Sequence, residues 1–277
     1  MDNPFVSTDW LAANLGDPNL VVVDGSWHMP NSARNAQAEY LAGHLPGAVF
    51  FDVDGIADST STLPHMLPKP ADFARMVGAL GISDSMTIVV YDELGLFSAP
   101  RVRWTFLTMG ARDVRILAGG GPKWRAERRP TEAGLVSRPV QQFNANFDAT
   151  RVADFATVQT ASNDGTTQIA DARPAPRFHA EVAEPRPGLR AGHIPNSLNI
   201  PVSLVTDAGQ MRPANELRQL LTDRGIDPAK PVITTCGSGI TASTLALALE
   251  LTGASNVAVY DGSWAEWGSR PDAEVVS

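Results

Sequence analysis

The residue with the most chemical potential in this chain of 277 residues is its only cysteine, Cys236. It opens the run Cys236-Gly237-Ser238-Gly239-Ile240-Thr241, between an apolar segment at 231–235 and a helix-forming stretch at 241–251. A strand, a loop of small residues and a helix start would place the sulfur where backbone N–H groups converge and the helix dipole favours an anion. Such surroundings lower a thiol pKa from ~8.5 into the range of roughly 3.5–7.5 and turn it into a nucleophile. A lone cysteine can also be a small buried hydrophobe, but that role does not call for a loop stripped of side chains. Gly237 and Gly239 let the backbone close around a sulfur anion. The Ser238 hydroxyl can donate to or accept from a bound thiol; the other reading of Ser238 is a helix N-cap.

A second group of charges lies upstream. Arg177 and Arg186 stand in a proline-stiffened loop following the apolar run that ends at Asp171. Two guanidiniums on a stiff loop at a strand's carboxyl end suit a small carboxylate, and the alternative is pairing with Glu181 or Glu184. Arg190 in the same stretch reads as a solvated arginine. The dispersed histidines and single cysteine provide no metal-ligand spacing, so neither a metal nor another cofactor is expected.

The elements that must position these groups come in two sets. Asp24 ends the run Leu20-Val21-Val22-Val23, and Asp171 ends Gln168-Ile169-Ala170. His44-Leu45-Pro46-Gly47-Ala48 recurs as His193-Ile194-Pro195-Asn196-Ser197, and Gly110-Ala111 recurs as Gly253-Ala254. Trp124 and Trp267 follow at the same offset as the last pair. Ordered matches with slowly drifting spacing indicate a duplicated domain. The expected division is a first domain at 1–130, a polar linker at 131–148 and a second domain at 149–277. Strands are expected at 20–23, 48–51, 87–91 and 114–117, and helices at 8–15, 70–80 and 99–109, with Thr8 as a cap and Pro70 in a first turn. Alternation at this pace implies an α/β fold, each half a parallel sheet with helices on both faces, and sites beyond the carboxyl ends of its strands. Asp92 occupies roughly the position of Cys236 in the first half, so only one copy carries sulfur. His44 and His193 are repeated where chemistry is not, and are expected to bond backbone.

Composition narrows the function classes. The formal net charge of −8 gives nucleic-acid binding no support. No apolar run is long enough to span a membrane, and the first residues lack the pattern of a signal peptide. One cysteine makes no internal disulfide, which points to a reducing cytoplasm.

Taken together, Asp24-Gly25-Ser26-Trp27, Gly43-His44-Leu45-Pro46-Gly47-Ala48, Phe50-Phe51-Asp52-Val53-Asp54, His65-Met66-Leu67-Pro68, Asp171-Ala172-Arg173, Gly192-His193-Ile194-Pro195 and the cysteine loop resemble the tandem-domain rhodanese family. Within it, the loop is similar to that of 3-mercaptopyruvate sulfurtransferases, which read Cys-Gly-Ser-Gly-Val-Thr; thiosulfate-preferring relatives carry basic side chains just after the cysteine. Phosphatases of the same fold need a longer loop ending in arginine, and position 242 here is alanine. The resemblance implies two rhodanese-like domains and transfer of sulfur from 3-mercaptopyruvate, through a Cys236 persulfide, to a thiol such as thioredoxin or glutathione, or to cyanide. It implies that Arg177 and Arg186 bind the substrate carboxylate and that residues 237–241, including Ile240 and Thr241, line the loop. It also implies a proton relay joining Ser238, His65 and Asp54, with Asp52 a neighbouring carboxylate easily confused with Asp54. Left to themselves, His65 would cap a loop and Asp54 would be a solvated turn residue. A thiosulfate:cyanide sulfurtransferase and a non-catalytic docking module stay open as alternatives.

Overall fold

Runs of β-branched residues bounded by turn formers become short parallel strands, and the computed structural model, which describes residues 3–277, arranges them in two five-stranded sheets. The chain divides into two compact units. One runs through Thr60 and includes Leu67–Asp148 and Ala208–Gln210; the other comprises Ser61–Met66, Ala149–Asp207 and Met211–Ser277.

In the first unit the strand order is Phe5–Val6, Asp113–Leu117, Thr87–Tyr91, Leu20–Asp24, Val49–Phe50, every neighbour parallel. In the second it is Val152–Ala153, Val257–Tyr260, Val232–Thr235, Gln168–Asp171, Ser197–Asn199, again all parallel. The two orders are the same, as a duplicated sequence requires. Helices flank both sheets, so the inner strands are covered and read as unbroken apolar runs: all five residues of Leu20–Asp24 and all four of Val232–Thr235 are buried.

The duplicated residues hold equivalent places. Trp124 and Trp267 are both buried, and their indole N–H groups donate to the carbonyls of Pro130 (2.7 Å) and Glu274 (2.8 Å). His44 and His193 each exchange a pair of backbone hydrogen bonds, with Glu132 and Val276 respectively. Their rings bond backbone as expected: His44 Nδ1 to the Leu45 carbonyl and Nε2 to that of Gly134, His193 Nδ1 to that of Phe178. Burial lowers the His193 pKa, which keeps the ring neutral in that role.

Some local expectations need correction. The cap of the first helix, Thr8–Asn14, is Ser7, whose hydroxyl accepts from Trp10 N–H; Thr8 is already helical. Pro70 does stand in the first turn of Pro70–Ala79. Helices at Ala36–Ala42 and Gly120–Ala126, seven residues each, are additional to those expected. Residues 131–148, read as a linker, run along the first unit: Gln141 N–H bonds the Gly78 carbonyl, and Phe143 packs edge-on against Phe73.

Candidate active site

Cys236 follows the last residue of Val232–Thr235, the middle strand of the second sheet, so it stands where parallel sheets place their sites. Four residues later the chain enters the helix Ile240–Leu251. That helix is mostly alanine, leucine and threonine and is buried at Ile240 and from Ala242 to Leu249, so its first turn is fixed by packing. Its opening N–H groups have no intrahelical acceptors and face the loop. Gly239 is the N-cap, with φ of +82°, a left-handed conformation that glycine takes without steric cost. Ser238 therefore precedes the cap position and is not the N-cap; it is buried in the loop at 6% exposure. Cys236 itself is a free thiol at 1% exposure, and Ile240 is buried at 3%, so Ile240 offers the loop a backbone N–H and a fixed side chain. Thr241 is half-buried on the first helical turn.

The loop backbone is tied to the next strand-helix junction. Cys236 N–H donates to Ser263 Oγ (3.2 Å), and the carbonyls of Cys236 and Gly237 accept from Trp264 and Ala265 N–H, both at 2.9 Å. Gly237 has an occupied neighbourhood: a Cβ there would stand 3.0 Å from Nη2 of Arg177 and 3.6 Å from its Nη1. The guanidinium of Arg177 is thus held against the residue following the nucleophile.

Arg177 does not lie in an irregular loop but on a short helix, Ala175–Phe178, entered through Pro174. A buried charge network fixes it. Arg173 donates to both oxygens of Asp171, at 2.7 Å from Nη2, and from Nη1 to Glu184 Oε1 at 3.0 Å. Glu184 in turn accepts from Arg177 Nη2 at 2.5 Å and Nε at 3.3 Å. The side chains of Asp171, Arg173 and Glu184 are at most 2% exposed, so each charge depends on its partner. Arg173 also lies over the Trp264 ring, 4.2 Å from its centroid. The pairing of Arg177 with Glu184, one of the two partners considered from sequence, is present together with its placement over Gly237. Arg190 is not a solvated arginine: it donates to the carbonyls of Trp267, Gly268, Arg270 and Ala273.

His65 belongs to the second unit, although the sequence places it in the first half. It is buried at 7% exposure, with φ of +54°, which a non-glycine residue rarely adopts. Its Nε2 lies 3.4 Å from Nη2 of Arg186. A guanidinium only donates, so Nε2 is the acceptor in that contact. Asp54 stands in the first unit, exposed, with Oδ2 accepting from Trp27 Nε1 at 2.9 Å. Asp52 accepts from the backbone N–H of Asp54.

The equivalent loop of the first unit runs from Asp92 to Ser98, ahead of the helix Ala99–Thr108. Its Asp92 carboxylate accepts four backbone N–H bonds: Oδ1 from Leu94 (2.9 Å), Oδ2 from Phe97 (2.7 Å), Ser98 (2.9 Å) and Ala99 (2.8 Å). This half has an anion cradle too, filled by its own side chain.

Ser263 and Glu184 are the residues sequence reasoning missed or passed over as site components. The signal for Ser263 was a serine standing where the repeat places Gly120.

Two rhodanese-like-domain matches, over residues 7–127 and 154–270, cover both loops and all of both sheets except the edge strands Phe5–Val6 and Val152–Ala153. The chain belongs to the rhodanese family. Among its relatives, 3-mercaptopyruvate sulfurtransferase of Escherichia coli K12 is 46% identical over 272 residues, 98% of this chain and 97% of that one. Thiosulfate/3-mercaptopyruvate sulfurtransferase 1 of Arabidopsis thaliana is 40% identical, covering 99% of this chain and 78% of the relative. The crystal structure of SseA from Escherichia coli superposes with a TM-score of 0.88 at 44% identity, covering 95% of this chain and 99% of that one.

Proposed function

We propose that this chain is a sulfurtransferase taking sulfur from 3-mercaptopyruvate through a persulfide on Cys236. The observation that carries the reading is a single buried thiol at a helix N-terminus, in the loop Cys-Gly-Ser-Gly-Ile-Thr, with the Arg177 guanidinium against Gly237. The Cys236 thiolate attacks the donor's thiol sulfur and forms the S–S bond. The C–S bond breaks, and its electron pair leaves as the enolate of pyruvate. The proton from the donor thiol returns to the enolate carbon, so pyruvate departs and the enzyme keeps a persulfide anion. A thiol or cyanide then takes the terminal sulfur and restores the thiolate.

The residue roles follow from the chemistry. Convergent N–H groups of residues 237–241 stabilise first the thiolate and then the persulfide. Arg177 and Arg186 take the α-keto carboxylate, a task suited to forked guanidiniums. Ser238 contacts the donor thiol and His65 carries the proton, the roles that the resemblance implies for them together with Asp54. Glutathione, thioredoxin and cyanide are the acceptors proposed, in a cytoplasmic setting. Among the described residues no helix is long and apolar enough to cross a membrane.

The test is to add 3-mercaptopyruvate and follow pyruvate release together with the intact mass of the protein. Pyruvate and one added sulfur on Cys236 are expected; no sulfur uptake would leave a docking module as the better reading. Thiosulfate is a second donor worth measuring, given the name of the Arabidopsis relative. The neutral loop favours a higher kcat/KM with 3-mercaptopyruvate, and the opposite ranking would reverse the assignment.

A further inference from the structure

We propose that Ser263 is a positioning residue that fixes the Cys236 backbone for attack; the role rests on the sulfurtransferase reading above. Ser263 begins the short helix Ser263–Trp267, is fully buried and has φ of +49°, a conformation L side chains rarely adopt. The equivalent residue of the first unit is Gly120, which begins Gly120–Ala126 with φ of +56°. The backbone bond after each is also the same: Gly121 N–H to the Asp92 carbonyl (3.0 Å), and Trp264 N–H to the Cys236 carbonyl (2.9 Å).

The fold therefore requires a left-handed residue at this junction in both units, and glycine meets that need in the unit without sulfur. The second unit uses serine, against backbone preference, and its hydroxyl has two bonds. Oγ accepts from Cys236 N–H at 3.2 Å and donates to the Tyr260 carbonyl at 2.8 Å. It thereby links the nucleophile's own amide to the end of the neighbouring strand. At Gly120 a Cβ would come within 2.5 Å of the Asp92 carbonyl oxygen and 2.9 Å of Gly95 Cα, so that junction has no room for a side chain, whereas Ser263 carries one. An unfavourable conformation kept for one hydroxyl, at the residue that anchors the nucleophile, is a functional placement.

Ser263→Ala and Ser263→Gly separate this role from a structural one. Both delete the hydroxyl, but only glycine relieves the left-handed conformation, so the glycine variant should melt at the higher temperature of the two. If Ser263 positions Cys236, both variants lose kcat alike, by roughly tenfold, with KM within about twofold of wild type. Both should also lose a similar factor in the rate of Cys236 alkylation by iodoacetamide. Activity that tracks melting temperature, with glycine restored toward wild type, would overturn the proposal, as would wild-type kcat and alkylation in both. Alkylation needs no sulfur donor, so it reports on Ser263 even if the donor assignment fails.

Discussion

The two strand-to-helix loops start from the same place in the same sheet order and diverge in what they hold. After Tyr91 the loop takes seven residues, 92–98, and folds its own Asp92 carboxylate onto four backbone N–H groups. After Thr235 it takes four, 236–239, and the first of them is a thiol. An N–H cradle at a helix start attracts an anion from whatever source is nearest. A side chain that reaches back into it makes a rigid turn; a short, side-chain-poor loop keeps it for a sulfur anion. Loss of activity in a duplicated domain thus does not require loss of the anion site, only its occupation from within.

The largest effect that would break this contrast concerns sulfur itself. Cys236→Ser should reduce sulfur transfer to every acceptor by at least roughly a thousandfold. Adding Asp92→Cys to that variant should restore none of it, because the longer loop shapes its N–H groups around a carboxylate. Measurable persulfide on residue 92 would mean that the two loops differ in residue type alone. Next in size is the internal anion: Asp92→Ala leaves buried N–H groups unpaired and should destabilise the protein by roughly 3–5 kcal/mol in a denaturant titration. A loss under about 1 kcal/mol would show that the carboxylate is incidental to the turn.

Arg186→Ala sharpens the comparison from the substrate side. Loss of a charge-assisted hydrogen bond of ~1.5–3 kcal/mol should weaken 3-mercaptopyruvate roughly 10–150-fold. Thiosulfate, with no carboxylate, should be affected far less, and equal losses would count against carboxylate recognition. A last test separates the paired strand-end aspartates. Burial raises the Asp24 pKa above its ordinary 3.8, even though Tyr91 Oη and the Ser26 N–H donate to its carboxylate. A raised native pKa means that the folded state holds the proton longer, so this stabilisation is full below pH ~4 and is lost as pH rises through the native value. Asp24→Asn should flatten that part of the stability–pH curve, and an unchanged curve would show that Asp24 does not shape it. Asp171, bound to Arg173, should give the opposite result: Asp171→Asn destabilises at neutral pH by roughly 3–5 kcal/mol because it removes one of the two buried carboxylates paired with Arg173, leaving Glu184 alone.

The sequence made the repeated frame readable because strands and tryptophans recur at nearly constant offsets, and a duplicated core must reuse its apolar positions. Cys236 and its glycines were readable because the pattern is contiguous. What sequence could not convey was long-range. His65 comes before most of the residues it packs among, so its membership of the second unit is invisible to periodicity. Arg190 looked solvated since its acceptors are backbone carbonyls some eighty residues away, which no side-chain pattern encodes. A helix of four residues has no period to detect, so the sequence alone leaves Arg177 in a loop. The occupation of the first cradle was hidden for a subtler reason: Asp92 was seen as a missing cysteine, whereas its chemistry lies in the turn it closes.

Gly237 carries a last consequence, for how donor choice can change. The space a side chain would fill there is already bounded by the Arg177 guanidinium, 3.0 Å from the position of a Cβ. Relatives that prefer thiosulfate place positive charge on the residues just after the cysteine; here it approaches the same spot from a different helix. A basic residue introduced at 237 would crowd the end of the Arg177 side chain and repel it. Positive charge at 237 and the Arg177 guanidinium would compete for one place, so a basic residue should be accepted at 237 most readily when position 177 changes with it.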